Sequence, residues 1–565
     1  MNHSPLFIKK IPSRKLSIDA VSNIPSYFVA STAPINIDTN ETLYDASESD
    51  MKEGVRAIAR DLYRASSDPI GGGSPQLIVA VHGYNTLSND VESWYESIGT
   101  FTSTYAESLQ SSVFIGYRWP SETIGSEGFW VSFTSLPFLP RLLSGISLFL
   151  IFFGCVIHLR GLGSGFANLI LFLAIVLAAL LGSLILFLLT LRSVAYFRDY
   201  YRATEFGVTD LANLLTLVDS ALTELPREEL EQKSPIGLSF IAHSMGSLVV
   251  TKTITRIVDI FDRRSIAGFP TSEVANSFTL RRLVLASPDL PSQVIASTRN
   301  NDIQTCLRRF SEVYVFTSEG DIALRLASTA ANYFFFPVKK RISGYRLGNI
   351  SVRFDHQYGI CNLVDLRQHY PLHKPTSEAL ISSVGRALDS VEITFIDGFS
   401  PTTRTLKDIF GVREDVNTCN LITFIDCTNY RDVKVSQKQD EKLKYSSGLL
   451  TRARGKRALN LLDYLLLTLD YATHTRDVHG GYFKGEFSQY LLYNFLFLGF
   501  EGTLSDQIKS DVSKCPESAL DKMDKEFRRT GIKVLLSPIR YRVDVQGASV
   551  DMTLRELLSI RVRDN

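Results

Sequence analysis

Five short apolar runs, separated by stretches with helical spacing, constrain this chain more than any other feature. They are Leu77–Val81, Val113–Trp119, Ile236–Ala242, Leu280–Ala286 and Glu312–Ser318, and each ends in small or polar residues. A continuous apolar run, as opposed to an alternating one, marks a strand buried on both faces. Helical spacing around residues 55–64, 207–225 and 247–261 lies between them. Strands alternating with helices predict an α/β fold with a doubly wound, mostly parallel sheet and right-handed crossovers. In such sheets functional residues gather beyond the strand C-termini. A sixth strand is expected at Tyr358–Leu366.

The third run enters Ala242-His243-Ser244-Met245-Gly246, a variant of the G-x-S-x-G nucleophile elbow with alanine at the first glycine. Small residues belong there because a sharp strand-to-helix turn leaves no room for large ones. The following SLVVTKTITRIV has helical spacing, so a helix N-terminus points its N–H groups at Ser244. Met245 N–H is the expected first oxyanion donor, and Tyr84 N–H, from the loop after His82-Gly83, the second.

A serine hydroxyl needs a histidine base and a carboxylate to orient it, and in this arrangement they follow in the order Ser, Asp/Glu, His. Asp321 stands at the end of the strand two beyond the elbow strand; Asp289 is the alternative, and Glu319 ranks below both. Asp321 also fits a helix N-cap ahead of IALRLAS. The histidines after the elbow are 356, 369, 373, 474 and 479. The loop after the sixth strand holds His369 and His373, and His373 is preferred because it is nearer the next helix start. His243, adjacent to the serine, should point away from it.

Residues 142–159 carry one ionisable side chain, His158, and residues 166–191 carry no charge at all. About 17–20 apolar helical residues cross a bilayer. The RGLGSG turn between the runs predicts a membrane hairpin, and Arg141, Arg192, Arg198 and Arg202 on its outer flanks place both ends on the cytoplasmic side. No signal-peptide pattern opens the chain, and six cysteines without a CxxC spacing suit a reducing cytosol. The expected location is therefore a membrane, crossed twice, with both termini and the sheet cytoplasmic. Lys plus Arg is 60 against 59 for Asp plus Glu, which gives no reason to expect nucleic acid.

At 565 residues two or three domains are expected. The boundaries read as 1–135 and 196–390 for the two parts of the sheet domain, 136–195 for the hairpin, and 391–565 for a C-terminal mixed α/β module. In that module VEITFID and NLITFID read as strands, NLLDYLLLTLDYAT as a helix, and SQYLLYNFLFLGF as a buried helix too short to span. Asp470, His474, Asp477 and His479 could be metal ligands, but so loose a cluster reads better as a helix end and its solvated loop.

Taken together, VAVHGYN (79–85), Trp119-Pro120-Ser121, AHSMGS (242–247), Ala286-Ser287-Pro288-Asp289 and TSEGD (317–321) resemble a family of bacterial α/β-hydrolases of unknown function, related to esterases and lipases. SYFVAST (26–32) is similar to that family's first strand, and the resemblance covers about residues 20–390. It implies an α/β-hydrolase fold and a triad of Ser244, Asp321 and a late histidine. The sequence departs from the family pattern in offering His369-Tyr370 and His373 where a single His-Ser-Tyr-like site is usual.

The expected activity is hydrolysis of a carboxylic ester or thioester, a lipid ester among them, through an acyl-enzyme. No metal or organic cofactor is required. The hairpin leaves the sheet edge that carries Ser244, which would turn that edge towards the bilayer. The alternative is an inactive hydrolase-fold scaffold that recruits a protein through its C-terminal module.

Overall fold

A computed structural model describes residues 5–11, 24–35, 40–67, 75–104, 111–122, 195–225, 235–258, 273–296, 302–325, 345–353, 358–362, 387–397, 400–411, 418–431, 458–473, 475–509 and 516–538, with isolated helical positions between 142 and 176. Its strands are β1 (Phe7–Lys10), β2 (Ser26–Ala30), β3 (Gln76–Val81), β4 (Ser112–Arg118), β5 (Ile236–His243), β6 (Glu273–Val274), β7 (Phe278–Ala286), β8 (Glu312–Thr317), β9 (Ser351–Val352), β10 (Gly359–Ile360), β11 (Val391–Asp397), β12 (Ser400–Thr405), β13 (Ile422–Asp426) and β14 (Lys533–Leu535).

One large sheet has the order β1-β2-β4-β3-β5-β7-β8-β13-β14-β10, with β6 paired to β7. From β2 through β13 every neighbouring pair along that path is parallel. The five apolar runs of the sequence become β3, β4, β5, β7 and β8, which the path sets side by side at its centre. Both faces are covered, because successive side chains alternate between two cores. Leu77, Val79 and Val81 join Leu238, Phe240, Val313 and Val315 in one; Ile78 and Ala80 join Ile241, Tyr314 and Phe316 in the other.

Helices α1 (Glu48–Ser67), α2 (Ser88–Thr104), α3 (Val208–Thr223), α4 (Gly246–Ile257), α5 (Leu461–Ala472), α6 (Glu486–Phe497), α7 (Gly499–Lys509) and α8 (Pro516–Thr530) flank the sheet. α1 shows why: Met51, Val55, Ile58, Ala59 and Leu62 form one buried stripe, while Glu48 and Asp50 open the helix and Arg64 closes it. With α3 and α4 it covers the first face; α2, α6 and α8 send buried side chains into the second core.

One expectation changes. The strand beside β8 is not Tyr358–Leu366 but β13, from the C-terminal third; Gly359–Ile360 forms only the short edge strand β10, on β14. Two strands of the stretch 391–565, β13 and β14, extend the sheet that holds Ser244. The physical reason is that β13 offers an uninterrupted run of five buried residues to a parallel neighbour. A small antiparallel sheet, β12-β11-β9, lies beside it, tied by Val352 N–H donating to Asp426 Oδ2 at 3.0 Å. The membrane hairpin expected at 136–195 falls almost wholly outside the described residues. Among the described residues no helix is long and apolar enough to cross a membrane.

Candidate active site

β5 drives straight into the elbow, where Ser244 adopts φ 53°. That left-handed conformation is costly for a residue with a side chain, and such strain gathers at functional sites. Its peptide groups hold it there: Ser244 N–H donates to Ala286 O at 3.0 Å, and Ser244 O accepts from Asp289 N–H at 3.1 Å and Ser247 N–H at 3.0 Å. The small residues have steric reasons. A Cβ on Gly246 would lie 2.6 Å from the carbonyl oxygens of both Val81 and His82, and one on Gly83 would lie 2.9 Å from Ser244 Cβ. The His-Gly loop thus packs directly on the elbow. α4 starts at once, with Met245 at its N-cap and no side chain capping the first turn. Ser247 N–H and Leu248 N–H are taken by Ser244 O and Met245 O, each at 3.0 Å, so of this first turn the Met245 and Gly246 N–H groups are the ones placed to meet negative charge developing at Ser244.

Asp321 follows β8, two strands from β5 as expected, and is fully buried. Its Oδ1 accepts Leu324 N–H at 3.1 Å, so it does cap the following turn. Its Oδ2 accepts the Ser287 hydroxyl and lies 2.7 Å from Nδ1 of His479.

His479, counted among the late histidines but not chosen there, is the histidine that meets Asp321. It lies on the loop between α5 and α6, and its ring packs against His243 at 4.7 Å and edge-on to Tyr84 at 6.4 Å between centroids. The loop is pinned from two sides: His243 Nε2 donates to His479 O at 3.2 Å, and Asp477 Oδ1 accepts Gly480 N–H at 2.7 Å. Burial pushes the His479 pKa down, but the Asp321 charge and hydrogen bond, with Asp477 and Asp289 behind them, outweigh it and hold the ring above its ordinary value. With Nδ1–H given to Asp321, Nε2 carries the lone pair. Both His479 Nε2 and Ser244 Oγ are buried and have no hydrogen-bond partner among the described residues. Leaving such atoms unpaired costs about 1–3 kcal/mol each, which is the pattern of groups held ready for a reactant.

The preferred base, His373, and its alternative, His369, lie outside the described residues, as do His356 and His474. The signal that leads to His479 is β13: once NLITFID takes the place beside β8, the loop that reaches Asp321 comes from later in the chain. Among the described residues no group of three or more potential ligands forms, and Asp470 is buried in an ion pair with Arg476 at 3.4 Å.

The other candidates have different partners. Asp289 pairs with Arg346 at 3.0 Å, both buried. Glu319, its pKa pushed up by burial, accepts Tyr464 O–H at 2.8 Å and Leu459 N–H at 3.0 Å, fastening α5 to the end of β8. His82 stacks on Trp119 at 5.1 Å, and burial drives its pKa down to about 3. His243 likewise falls to about 4, through burial and the neighbouring His479, and turns its ring to the His479 loop.

The loop after β3 is equally constrained. Gly83 O faces His82 Nδ1 at 2.7 Å and accepts Thr86 Oγ1–H at 3.2 Å, while Asn85 sits at φ 56° with its N–H on Asp199 Oδ2 at 3.0 Å.

Residues 155–353 match the family model described as alpha/beta hydrolase of unknown function (DUF900). That stretch includes Ser244 and Asp321 but neither Tyr84 nor His479. The match and the large, mostly parallel sheet agree on an α/β-hydrolase architecture and suggest a hydrolase. No curated protein and no solved structure matches the chain.

Proposed function

We propose that this chain is a serine hydrolase that cleaves a carboxylic ester or thioester, with Ser244 as nucleophile, His479 as general base and Asp321 as the carboxylate that orients it. The observation that carries the reading is the Asp321–His479 pair, 2.7 Å apart, whose imidazole packs at 4.7 Å on His243, the neighbour of a strained serine; Ser244 Oγ and His479 Nε2 are both buried and do not bond each other. Asp321 holds the imidazole with Nε2 unprotonated, as a base must be. Ser244 Oγ attacks the acyl carbon while its proton passes to Nε2. The oxyanion takes hydrogen bonds from Met245 N–H and from Tyr84 N–H. Collapse expels the alcohol or thiol, which leaves with the proton from Nε2. Water then enters, gives a proton to Nε2 and attacks the acyl-serine, releasing a carboxylic acid and restoring Ser244. Every proton is carried by a side chain of the site, so the step calls on no metal or organic cofactor.

The charge-free run at 166–191 supports a further part of the reading: an anchor in a bilayer, with the sheet cytoplasmic and a membrane-resident lipid ester as substrate. The run belongs to the connection leaving β4, whose C-terminal end lies on the same edge as the elbow. Deleting residues 136–195 should then spare hydrolysis of a short soluble ester and abolish hydrolysis of the same acyl group presented in vesicles; equal loss or equal retention of both refutes the lipid assignment.

The triad is tested by labelling the full-length protein with a fluorophosphonate probe. A Ser244-dependent adduct is expected, absent in Ser244→Ala and strongly slowed in His479→Ala. No adduct on the folded wild type would overturn the enzyme reading and leave the inactive scaffold.

A further inference from the structure

The excursion at 123–194 leaves the sheet after Ser121-Glu122 and returns into a helical turn at 195–202. Its two ends are clasped together. Arg198 Nη2 donates to Glu122 O at 2.7 Å, Arg202 Nη1 reaches Glu122 Oε2 at 3.4 Å, and Ser121 Oγ donates to Asp199 Oδ2 at 2.9 Å. At the centre is Asp199, fully buried. Its Oδ1 lies 3.0 Å from Arg198 Nε and 3.6 Å from Arg202 Nη1. Yet Oδ2 is turned the other way and accepts Asn85 N–H at 3.0 Å, in the loop that faces Ser244.

Peptide planarity shows what that contact does. In a trans peptide the N–H points opposite the C=O, so fixing one fixes the other. The Gly83–Tyr84 peptide has its C=O held by Thr86 Oγ1 at 3.2 Å, with His82 Nδ1 at 2.7 Å, which sets the direction of Tyr84 N–H. Thr86 can do this only while the Tyr84-Asn85-Thr86 turn is intact, and that turn needs Asn85 at φ 56°. The Tyr84–Asn85 peptide has its N–H held by Asp199, and its C=O lies 3.1 Å from the same Thr86 hydroxyl, whose one proton is shared between the Gly83 and Tyr84 oxygens. Asp199 also engages Ser121, whose Oγ accepts Thr86 N–H at 3.3 Å. One buried carboxylate therefore sets two successive N–H groups of the loop.

We propose that Asp199 is a positioning residue of the acyl-transfer site: through Asn85 N–H and Ser121 it holds the Gly83–Tyr84 peptide with its N–H aimed at the oxyanion, and it joins the root of the 123–194 excursion to that hole. The inference rests on the serine-hydrolase reading above. An oxyanion donor acts on the transition state and hardly on the ground state, so misaiming it lowers kcat and spares KM.

The test uses full-length protein, p-nitrophenyl butyrate as substrate, and fluorophosphonate titration to count competent sites, so that kcat is expressed per labelled Ser244. Loss of one such donor costs on the order of 10²-fold in rate. Asp199→Ala should lower kcat per site by roughly that factor with KM within about threefold of wild type. Asp199→Asn, which retains an oxygen for Asn85 N–H, should recover most of the loss. If Asp199→Ala does not fold, Ser121→Ala carries the test, with a smaller kcat loss at constant KM. An unchanged kcat per site in Asp199→Ala, or in Ser121→Ala where that variant stands in, overturns this inference and leaves the triad standing. So does a fall in kcat with a parallel rise in KM, or Asp199→Asn no better than Asp199→Ala. A wild type that takes no label brings down the triad itself, and this inference with it.

Discussion

His479 Nδ1 stands 2.7 Å from Asp321 Oδ2, across 158 residues of chain. The bond joins a loop of the C-terminal third to the end of β8 in the middle of the sheet, and His479 is the one histidine after the elbow that lies among the described residues.

His479→Ala should lower kcat for a p-nitrophenyl ester by about 10⁴-fold or more, the range seen when a triad member is removed. His369→Ala and His373→Ala should stay within a few-fold of wild type. Parallel kinetics on the three variants decides the base, and a collapse confined to His373→Ala would return the role to His373, the base preferred from the sequence.

The rate should depend on pH through the same pair. His479 must be neutral to accept the Ser244 proton, and its pKa is held above the ordinary histidine value by Asp321 against the pull of burial. The acid limb of kcat/KM should therefore turn above about pH 6.5. In Asp321→Asn the charge is gone and burial remains, so the limb should move to lower pH while kcat falls by roughly 10⁴-fold. A limb that moves upward, or does not move, would exclude Asp321 as the partner.

Stability should show the opposite acid behaviour at His82 and His243. Burial holds His82 at about 3 and His243 at about 4, both below their unfolded value. Between about pH 6.5 and 4 the unfolded chain binds protons that the folded one refuses, so stability falls as pH drops, by up to about 1.4 kcal/mol per pH unit for each ring. His479, with its raised pKa, contributes stability that is complete below about pH 6.5 and lost as pH rises through its folded value. Urea unfolding of His82→Gln should therefore show a shallower acid slope than wild type, and a slope equal to wild type would place His82 in water.

Gly246→Ala should damage both fold and labelling. The new Cβ would meet two backbone oxygens at 2.6 Å, and neither can move without shifting the end of β3. Overpacking of this kind costs about 1–3 kcal/mol, and the displaced His82-Gly83 loop should slow fluorophosphonate labelling at least about tenfold. A Gly246→Ala protein that labels at the wild-type rate would show that the elbow and the His-Gly loop do not touch as described.

What the sequence determined is local. Apolar runs such as Leu77–Val81 carry their own instruction to be buried on two faces, and both cores receive alternate residues from them. The elbow was legible for the same reason: Ala242, Ser244 and Gly246 satisfy a steric demand that spans five residues. Asp321 was legible because it follows its strand directly. Choosing among residues with identical local settings was left to the tertiary structure. Asp289, Glu319 and Asp321 all follow apolar strands, and only packing assigns Arg346 to the first, Tyr464 to the second and His479 to the third. The contact of His479 with Asp321 could not be read from the chain because β13 enters beside β8 from a segment whose composition resembles a separate module. Strand order is set by which long-range pairing buries most surface, a quantity no stretch of sequence contains, and with β13 in place the only described histidine that meets Asp321 is His479.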